Sequence, residues 1–283
     1  MKRRFIFGIS LVAGLSLLAA ACGGGGEENP APSGGGPSFT TIKQGVLTVA
    51  SCLDFAPFET IHQGDEKGFD VDLTEAIAKK LGLTVDWVKT DFGPGMFTAV
   101  ATGQYDMAAA AITATGKLGN ERAQTVAFSD FYFNSLQSLT VNTNKTPDIK
   151  STDDLKSGDI IGAQKSTTGE DWAKVNLEPK GIQIKSYTSA TDAFRDLEAG
   201  AITGVINDAP ASLSIVKDFP GEEVLQKIDT NEKYAFAFSP NNSALRNAWN
   251  RALQEVIKDG TYQKIYDKYF TPASIPDEFK PSS

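Results

Sequence analysis

Hydrophobic positions along the chain switch between two periods, and each switch marks the edge of a predicted element. Val46–Ala50 is a short β-branched run that suits a strand. From Phe69 to Leu81 the apolar residues Leu73, Ile77 and Leu81 recur at four-residue steps, one face of a helix, and Gly82 is placed to cap its C-terminus. Thr84–Val88 reads as a strand. Met96–Gly103 reads as a helix with Phe97 and Val100 inward, and Tyr105–Ile112 as a buried strand of small residues. The idiom then repeats. Asp159–Ala163 is a strand opening into the polar loop Gln164–Gly169, and the helix after it carries Trp172 and Val175. Ile182–Tyr187 is a strand, and Ser189–Glu198 is a helix with Ala193, Phe194 and Leu197 on one face and Gly200 at its end. Ile202–Ile206 is a strand ending at Asn207-Asp208. A strand around Tyr234–Phe238 and a helical stretch Leu245–Tyr269, broken at Asp259-Gly260, complete the body. Such alternation predicts an α/β fold.

The N-terminus follows neither period. Lys2, Arg3 and Arg4 precede an apolar run, Phe5–Leu18, and Ala19-Ala20-Ala21 lead into Cys22. A positive start, an apolar core and small residues before a cleavage point are the parts of an export signal, so residues 1–21 are expected to be a signal peptide. The cysteine directly after them resembles a bacterial lipobox, in which the thiol takes a diacylglyceryl group; Cys22 is the expected lipidation site. The alternatives are a short transmembrane anchor, for which the run is below the roughly 18–20 residues a spanning helix needs, and a secreted protein cut after Ala21 without lipid. Residues 22–38, mainly Gly, Pro, Ser and Glu, cannot bury enough apolar surface to offset their ordering entropy and are expected to be a flexible tether.

Charge narrows the partners. Without Lys2, Arg3 and Arg4 the chain has 24 basic residues against 35 acidic ones, a formal charge of −11. Such a surface argues against nucleic acid. With Cys22 in the anchor, Cys52 is unpaired, and no zinc site is expected from one histidine and one cysteine. His62 sits in the polar turn Thr60–Lys67 and reads as a solvated loop residue rather than part of a catalytic triad. The Gly-rich stretch 23–36 follows no strand and lacks Lys-Ser/Thr, so it is not a phosphate loop. No catalytic residue, metal or cofactor is expected.

Gly68-Phe69-Asp70-Val71-Asp72-Leu73, continuing to Ile77, Ala78 and Leu81, resembles the signature of the polar amino-acid-binding proteins of ABC importers, the extracytoplasmic solute-binding proteins of family 3. Asp54-Phe55-Ala56-Pro57-Phe58-Glu59, Ala111-Ile112-Thr113-Ala114-Thr115 and Phe128-Ser129-Asp130-Phe131-Tyr132 are similar to its first-lobe segments. Lys165-Ser166-Thr167-Thr168-Gly169 and Val205-Ile206-Asn207-Asp208-Ala209-Pro210 match its second-lobe motifs, and Asp259-Gly260-Thr261-Tyr262 fits its ending. Each segment is weakly specific; together, in order over nearly the whole body, they are strongly so. The resemblance implies a type II periplasmic-binding-protein-like fold that closes on its ligand. Lobe 1 would be residues 39–135 and 233–283, lobe 2 residues 136–232, with a two-strand hinge near Gln137–Val141 and Thr230–Tyr234. It also implies a lipid-anchored, extracytoplasmic monomer that delivers a free amino acid to a membrane permease.

A free amino acid carries an ammonium and a carboxylate on one carbon, so its site needs a negative acceptor and a positive fork-shaped donor. Arg122 can grip a carboxylate with two parallel hydrogen bonds, as Lys cannot. At the positions the resemblance marks, Thr113 offers a hydroxyl at the C-terminal end of a strand, where open α/β sheets bind ligands. Ala111 offers a backbone carbonyl. Thr167 and Thr168, with Gln164 before them, lie where a loop enters a helix and backbone N–H groups face an anion. Asp208 would pair with the ammonium. Phe55 and Phe92 would wall the ligand side chain, and Cys52 falls where many relatives carry Asp. Gly116–Asn120 separates the Thr segment from Glu121-Arg122 by an extra loop. Glutamine and arginine are the leading ligands. The alternative is a cyclohexadienyl or prephenate dehydratase-like enzyme on the same fold, with Glu170 as base. A soluble partner of a receptor kinase is a third class.

Overall fold

An eight-stranded mixed sheet organises the computed structural model, which describes residues 39–281. The expected signal peptide, Cys22 and the tether lie outside the described residues. In chain order the first part comprises β1 (Val46–Ser51), β2 (Asp54–Phe55), β3 (Glu59–His62), β4 (Asp65–Lys67), α1 (Phe69–Lys80), β5 (Thr84–Lys89), α2 (Pro94–Ala101), β6 (Met107–Ala108), α3 (Gly116–Arg122) and β7 (Ala127–Asn142). The second comprises β8 (Ile160–Gln164), α4 (Thr168–Asn176), β9 (Gln183–Tyr187), α5 (Ala190–Ala199), β10 (Gly204–Asp208), α6 (Ala209–Ile215), β11 (Glu222–Phe238), α7 (Ser243–Lys258) and α8 (Thr261–Phe270).

The strand order is β5-β1-β6-β11-β7-β10-β8-β9. Each flank is the same three-strand parallel unit: β1 lies between β5 and β6, and β8 between β9 and β10. The repeat seen in the sequence is therefore a repeat of architecture. Between the flanks run the long antiparallel strands β7 and β11, of 16 and 17 residues, which belong to both. One large core cluster takes in Leu47, Leu73, Ile77 and Val100 with Trp249 and Leu253 of α7 and runs on to Phe194 and Val205 of the second flank, and a smaller one gathers Leu139, Ile161, Ala173, Leu177 and Ile206. Among the described residues no helix is long and apolar enough to cross a membrane.

The signature Gly68-Phe69-Asp70 has a steric cause. Gly68 has φ +144°, and a Cβ there would lie 2.0 Å from the carbonyl oxygen of Phe58, so only glycine lets the β4–α1 junction lie on the hairpin. Phe69 then enters an aromatic cluster with Phe58, Phe133, Tyr262 and Phe270.

Several expectations change. The polar turn 60–67 is instead the hairpin β3–β4, which places exposed His62 on a strand rather than in a loop. The small-residue strand predicted to reach Ile112 forms a ladder only at Met107–Ala108, so Thr113 lies beyond a strand end and is held by a bridge to Tyr234. Gly116–Asn120 is not a loop but most of α3, whose Gly119 packs against Ala114 too closely for a side chain. Asn207 and Asp208 lie within β10 rather than after it.

Candidate functional site

Where the two flanks meet, three elements, α3, β10 and β11, bring charged side chains together. Arg122 ends α3 and turns back under it, only 7% exposed. Its Nη1 donates to the Thr113 carbonyl at 2.8 Å and its Nη2 to the Ser166 carbonyl at 3.1 Å, so one guanidinium spans the first half of the chain and the β8–α4 loop of the second. Its carbon lies 5.4 Å from the ring centroids of both Phe92 and Phe97, within cation–π range. Burial pulls its pKa down to about 10, against the neighbouring carboxylates of Glu232 and Asp208, which favour the charge.

Asp208 closes β10 directly opposite Gln137 of β7. Tyr234 donates its hydroxyl to Asp208 Oδ2 at 2.5 Å, and the Gln137 amide donates to Oδ1. Burial, then the charge of Glu232, push the Asp208 carboxyl up to about 7, while Tyr234, Gln137 and Arg122 oppose the rise.

Glu232 completes the cluster and is 4% exposed. Thr113 Oγ1 donates to its Oε2 at 2.8 Å and Thr168 Oγ1 at 2.9 Å; Thr230 Oγ1 donates to Oε1 at 2.7 Å and Gln137 Nε2 at 2.9 Å. The four donors come from both flanks and from the shared strands. Gly169 makes this approach possible, since a Cβ there would meet Gln137 Oε1 at 2.7 Å.

The structure therefore gathers Thr113, Arg122, Thr168 and Asp208 of the sequence-predicted set around one point. Phe92 belongs to it through the guanidinium of Arg122. Cys52 and Phe55 lie in the floor of the first half: the Cys52 thiol is 3.1 Å from Glu59 Oε1, and Phe55 stacks on Phe58 at 6.0 Å. Burial and the nearby Glu59 charge raise the Cys52 thiol well above its usual pKa, so it is a neutral thiol. Ala111, at φ +45°, donates its N–H to Asp70 Oδ2 at 2.9 Å. Gln164 is tied to the Thr188 carbonyl at 3.0 Å, and Thr167 is the N-cap of α4, accepting from the Glu170 N–H at 3.2 Å.

Sequence reasoning missed Gln137, Glu232 and Tyr234 as site groups. Gln137 is the one amide in the β-rich run Leu136–Val141, a weak sign of an inward polar group, whereas Glu232 sits in Asp229-Thr230-Asn231-Glu232-Lys233, which has the composition of a surface turn.

A cavity of about 630 Å³ lies elsewhere: Leu136 and Asn134 line it from the face of β7 opposite Gln137 and Ser135, with Leu213 and Phe270. A groove of about 290 Å³ abuts the charged cluster through Thr113, Thr168 and Glu232. Chemistry, not size, locates the site.

Glu170 sits at the start of α4. Burial by itself would raise its pKa, but Lys174, the Ser186 hydroxyl and the Ser166 N–H hold it below the usual carboxylate value. No group of three or more metal-ligating side chains occurs among the described residues.

The model of the bacterial extracellular solute-binding proteins, family 3, matches residues 47–272. A probable histidine-binding protein of Neisseria gonorrhoeae is 31% identical over 259 residues, covering 90% of this chain and 91% of that one. The solved structure of an ancestral arginine-binding protein bound to arginine superposes with a TM-score of 0.74 at 36% identity, covering 80% of this chain and 99% of the other. An ancestral amino acid-binding protein that is a precursor of cyclohexadienyl dehydratase superposes with a TM-score of 0.72 at 32% identity, over 80% of this chain and 96% of its own.

Proposed function

This chain belongs to the bacterial extracellular solute-binding proteins, family 3, and from that premise we propose that it captures a free polar α-amino acid and delivers it to the permease of an ABC importer. The observation that carries the reading is the convergence of Arg122, Thr113, Thr168 and Asp208, from both flanks of the sheet, on one buried point. In this reading Arg122 and the two threonines take the ligand carboxylate, and Asp208 takes the ammonium. Phe55 and Cys52 would face the side chain from the floor.

Because the contacts come from both halves, the ligand favours the closed arrangement by differential affinity. Lobe 1 would be residues 39–135 and 233–283 and lobe 2 residues 136–232, hinged where β7 and β11 cross between flanks. Residues 1–21 would be removed on export and Cys22 acylated, leaving a monomer tethered to the membrane by residues 22–38. Glutamine and arginine remain the leading ligands. A dehydratase-like turnover is disfavoured because Lys174, Ser186 and the Ser166 N–H all donate to Glu170 and hold its pKa below the usual carboxylate value, which makes it a weak base.

The test is thermal unfolding of the unit from Pro37 onward, freed of co-purified ligand, against the twenty amino acids and prephenate. A ligand at about 100 times its Kd adds roughly 2.7 kcal/mol, or about 5–10 °C at this size. A shift with one or a few amino acids is expected. A shift with prephenate alone, followed by its turnover, would replace binding with the enzyme reading.

A further inference from the structure

Glu232 is delivered to the site by a distortion of its strand. Between Ile228, opposite Gln137, and Glu232, opposite Ser135, β11 spends three residues where β7 spends one. The last of the three, Asn231, has φ +51°, a left-handed conformation that non-glycine residues seldom adopt. Bulges of this kind re-aim a side chain, and they gather beside binding sites. Here the re-aimed side chain is a carboxylate, buried and accepting from four donors, in the middle of a cleft that the amino-acid reading already equips with its charged pair.

Charge counting shows what that carboxylate does. Arg122 balances a ligand carboxylate, and Asp208 balances a ligand ammonium. Glu232 is then one negative charge more than a zwitterion can neutralise. An unbalanced charge in a closed, water-poor cleft is costly, so it must be met by a proton or by a second positive charge on the ligand. We propose that Glu232 is the residue that sets ligand charge in this protein, selecting amino acids whose side chain carries a positive charge over neutral ones of the same shape. This assignment rests on the amino-acid reading above and deepens it.

The groups facing Asp208 fix where a compensating proton would go. Glu232 comes from β11, the Tyr234 hydroxyl from the same strand, the Gln137 amide from β7, the Arg122 guanidinium from α3, and Glu59 approaches from the hairpin. With a neutral ligand the cleft has to hold a proton, and Asp208, raised to about 7, is the group that takes it. Neutral-ligand affinity therefore falls as pH rises from 6 to 8, while a cationic ligand needs no such proton.

Arginine and citrulline are the decisive probes, since citrulline keeps the shape of arginine and lacks its charge. Calorimetric titration of the ligand-free protein with arginine, citrulline, lysine and glutamine is expected to show arginine binding at least about tenfold tighter than citrulline at pH 8. Glu232→Gln is expected to erase or invert that ratio and to remove the pH dependence of citrulline binding. Glu232→Asp, which keeps the charge, is expected to retain the preference. Wild type that is silent to all four would overturn this assignment, while the amino-acid reading stands or falls on the thermal screen of all twenty. Wild type that binds, with the same arginine-to-citrulline ratio in Glu232→Gln, would overturn this assignment alone. If Glu232→Gln fails to fold, an arginine preference lost in Glu232→Asp despite its retained charge would overturn it as well.

Discussion

Asp208 and Glu232 lie beside Arg122 where the two flanks of the sheet meet, whereas Glu59 and Asp70 lie under the hairpin of the first half. All four carboxylates are buried. The donors to the first pair are Thr113, Thr168, Gln137, Thr230 and Tyr234, drawn from both flanks and from the shared strands. The donors to the second pair are the Ala111 N–H, the Tyr132 hydroxyl and the Cys52 thiol, all in the first half of the chain. Any movement of one flank against the other rearranges the first set and leaves the second intact. Asp208 is raised to about 7 against the pull of a neighbouring guanidinium, while Asp70 reaches about 7 by burial opposed only by two hydrogen bonds. The same residue type thus sits in the proposed ligand cluster in one place and anchors the signature helix in the other. The two clusters should respond differently to substitution.

The largest effect is expected at Arg122. Arg122→Ala removes the fork that spans Thr113 and Ser166 and leaves Asp208 and Glu232 without a counter-charge. Affinity for the amino acid found in the thermal screen should fall roughly 100-fold or more. Arg122→Lys should recover little of it, since a point ammonium cannot make two parallel bonds. Affinity within threefold of wild type in Arg122→Ala, measured by calorimetry, would place the ligand carboxylate elsewhere.

Asp70 tests the other side of the comparison, and its effect belongs to stability. A carboxyl raised from 3.8 to about 7 binds its proton more tightly in the folded protein than in the unfolded chain. Its contribution is therefore full below about pH 4 and is lost as pH rises through 7. In Asp70→Asn the decline in stability between pH 5 and pH 8 should flatten, by about 1–3 kcal/mol in the difference between the two pH values. Ligand affinity should stay within a factor of about three, because Asp70 touches Ala111 and Tyr132 rather than the cleft. Chemical denaturation at the two pH values reads the first outcome. An affinity loss as large as that of Arg122→Ala would merge the two clusters into one functional unit.

The contrast also explains what could be read from the chain alone. Helix α1 is legible because Leu73 and Ile77 follow its period and Gly68 and Gly82 bound it. The doubled β-α-β-α-β idiom is legible because each flank buries its own elements locally. What spans the flanks is not. In β7 the segment Ala127–Asn142 mixes Ser129, Asp130 and Asn134 with aromatics, because its faces meet different surroundings in each half, so only its end near Gln137–Val141 reads as strand. Helix α3 contains Gly116 and Gly119 and has no propensity to announce it; packing of Gly119 on Ala114 and the burial of Arg122 hold it. Glu232 is illegible for a related reason. Its inward aim comes from a bulge set by strand pairing with β7, and no local pattern encodes that.

The smallest effect belongs to Lys117, which the inserted residues carry to the rim of the cleft. Its Nζ is 2.6 Å from Asp171 Oδ1 in the first turn of α4, so a salt bridge joins α3 of the first half to the second. Lys117 is 62% exposed and Asp171 31%, and water and salt screen such a pair. Asp171 keeps a favourable place at the N-terminus of α4 even without its partner, which limits what the substitution can do to folding. Lys117→Ala should leave unfolding unchanged and raise the ligand off-rate by about two- to fivefold at low ionic strength. The increase should vanish near 0.5 M salt, where the bridge is already screened in wild type. That salt dependence separates a rim contact from the buried cluster, because substitution of Arg122 should cost nearly as much at high salt as at low. If Lys117→Ala instead weakens binding equally at both ionic strengths, α3 acts through the position of Arg122 rather than through its own charge, and the rim and the cluster form one device.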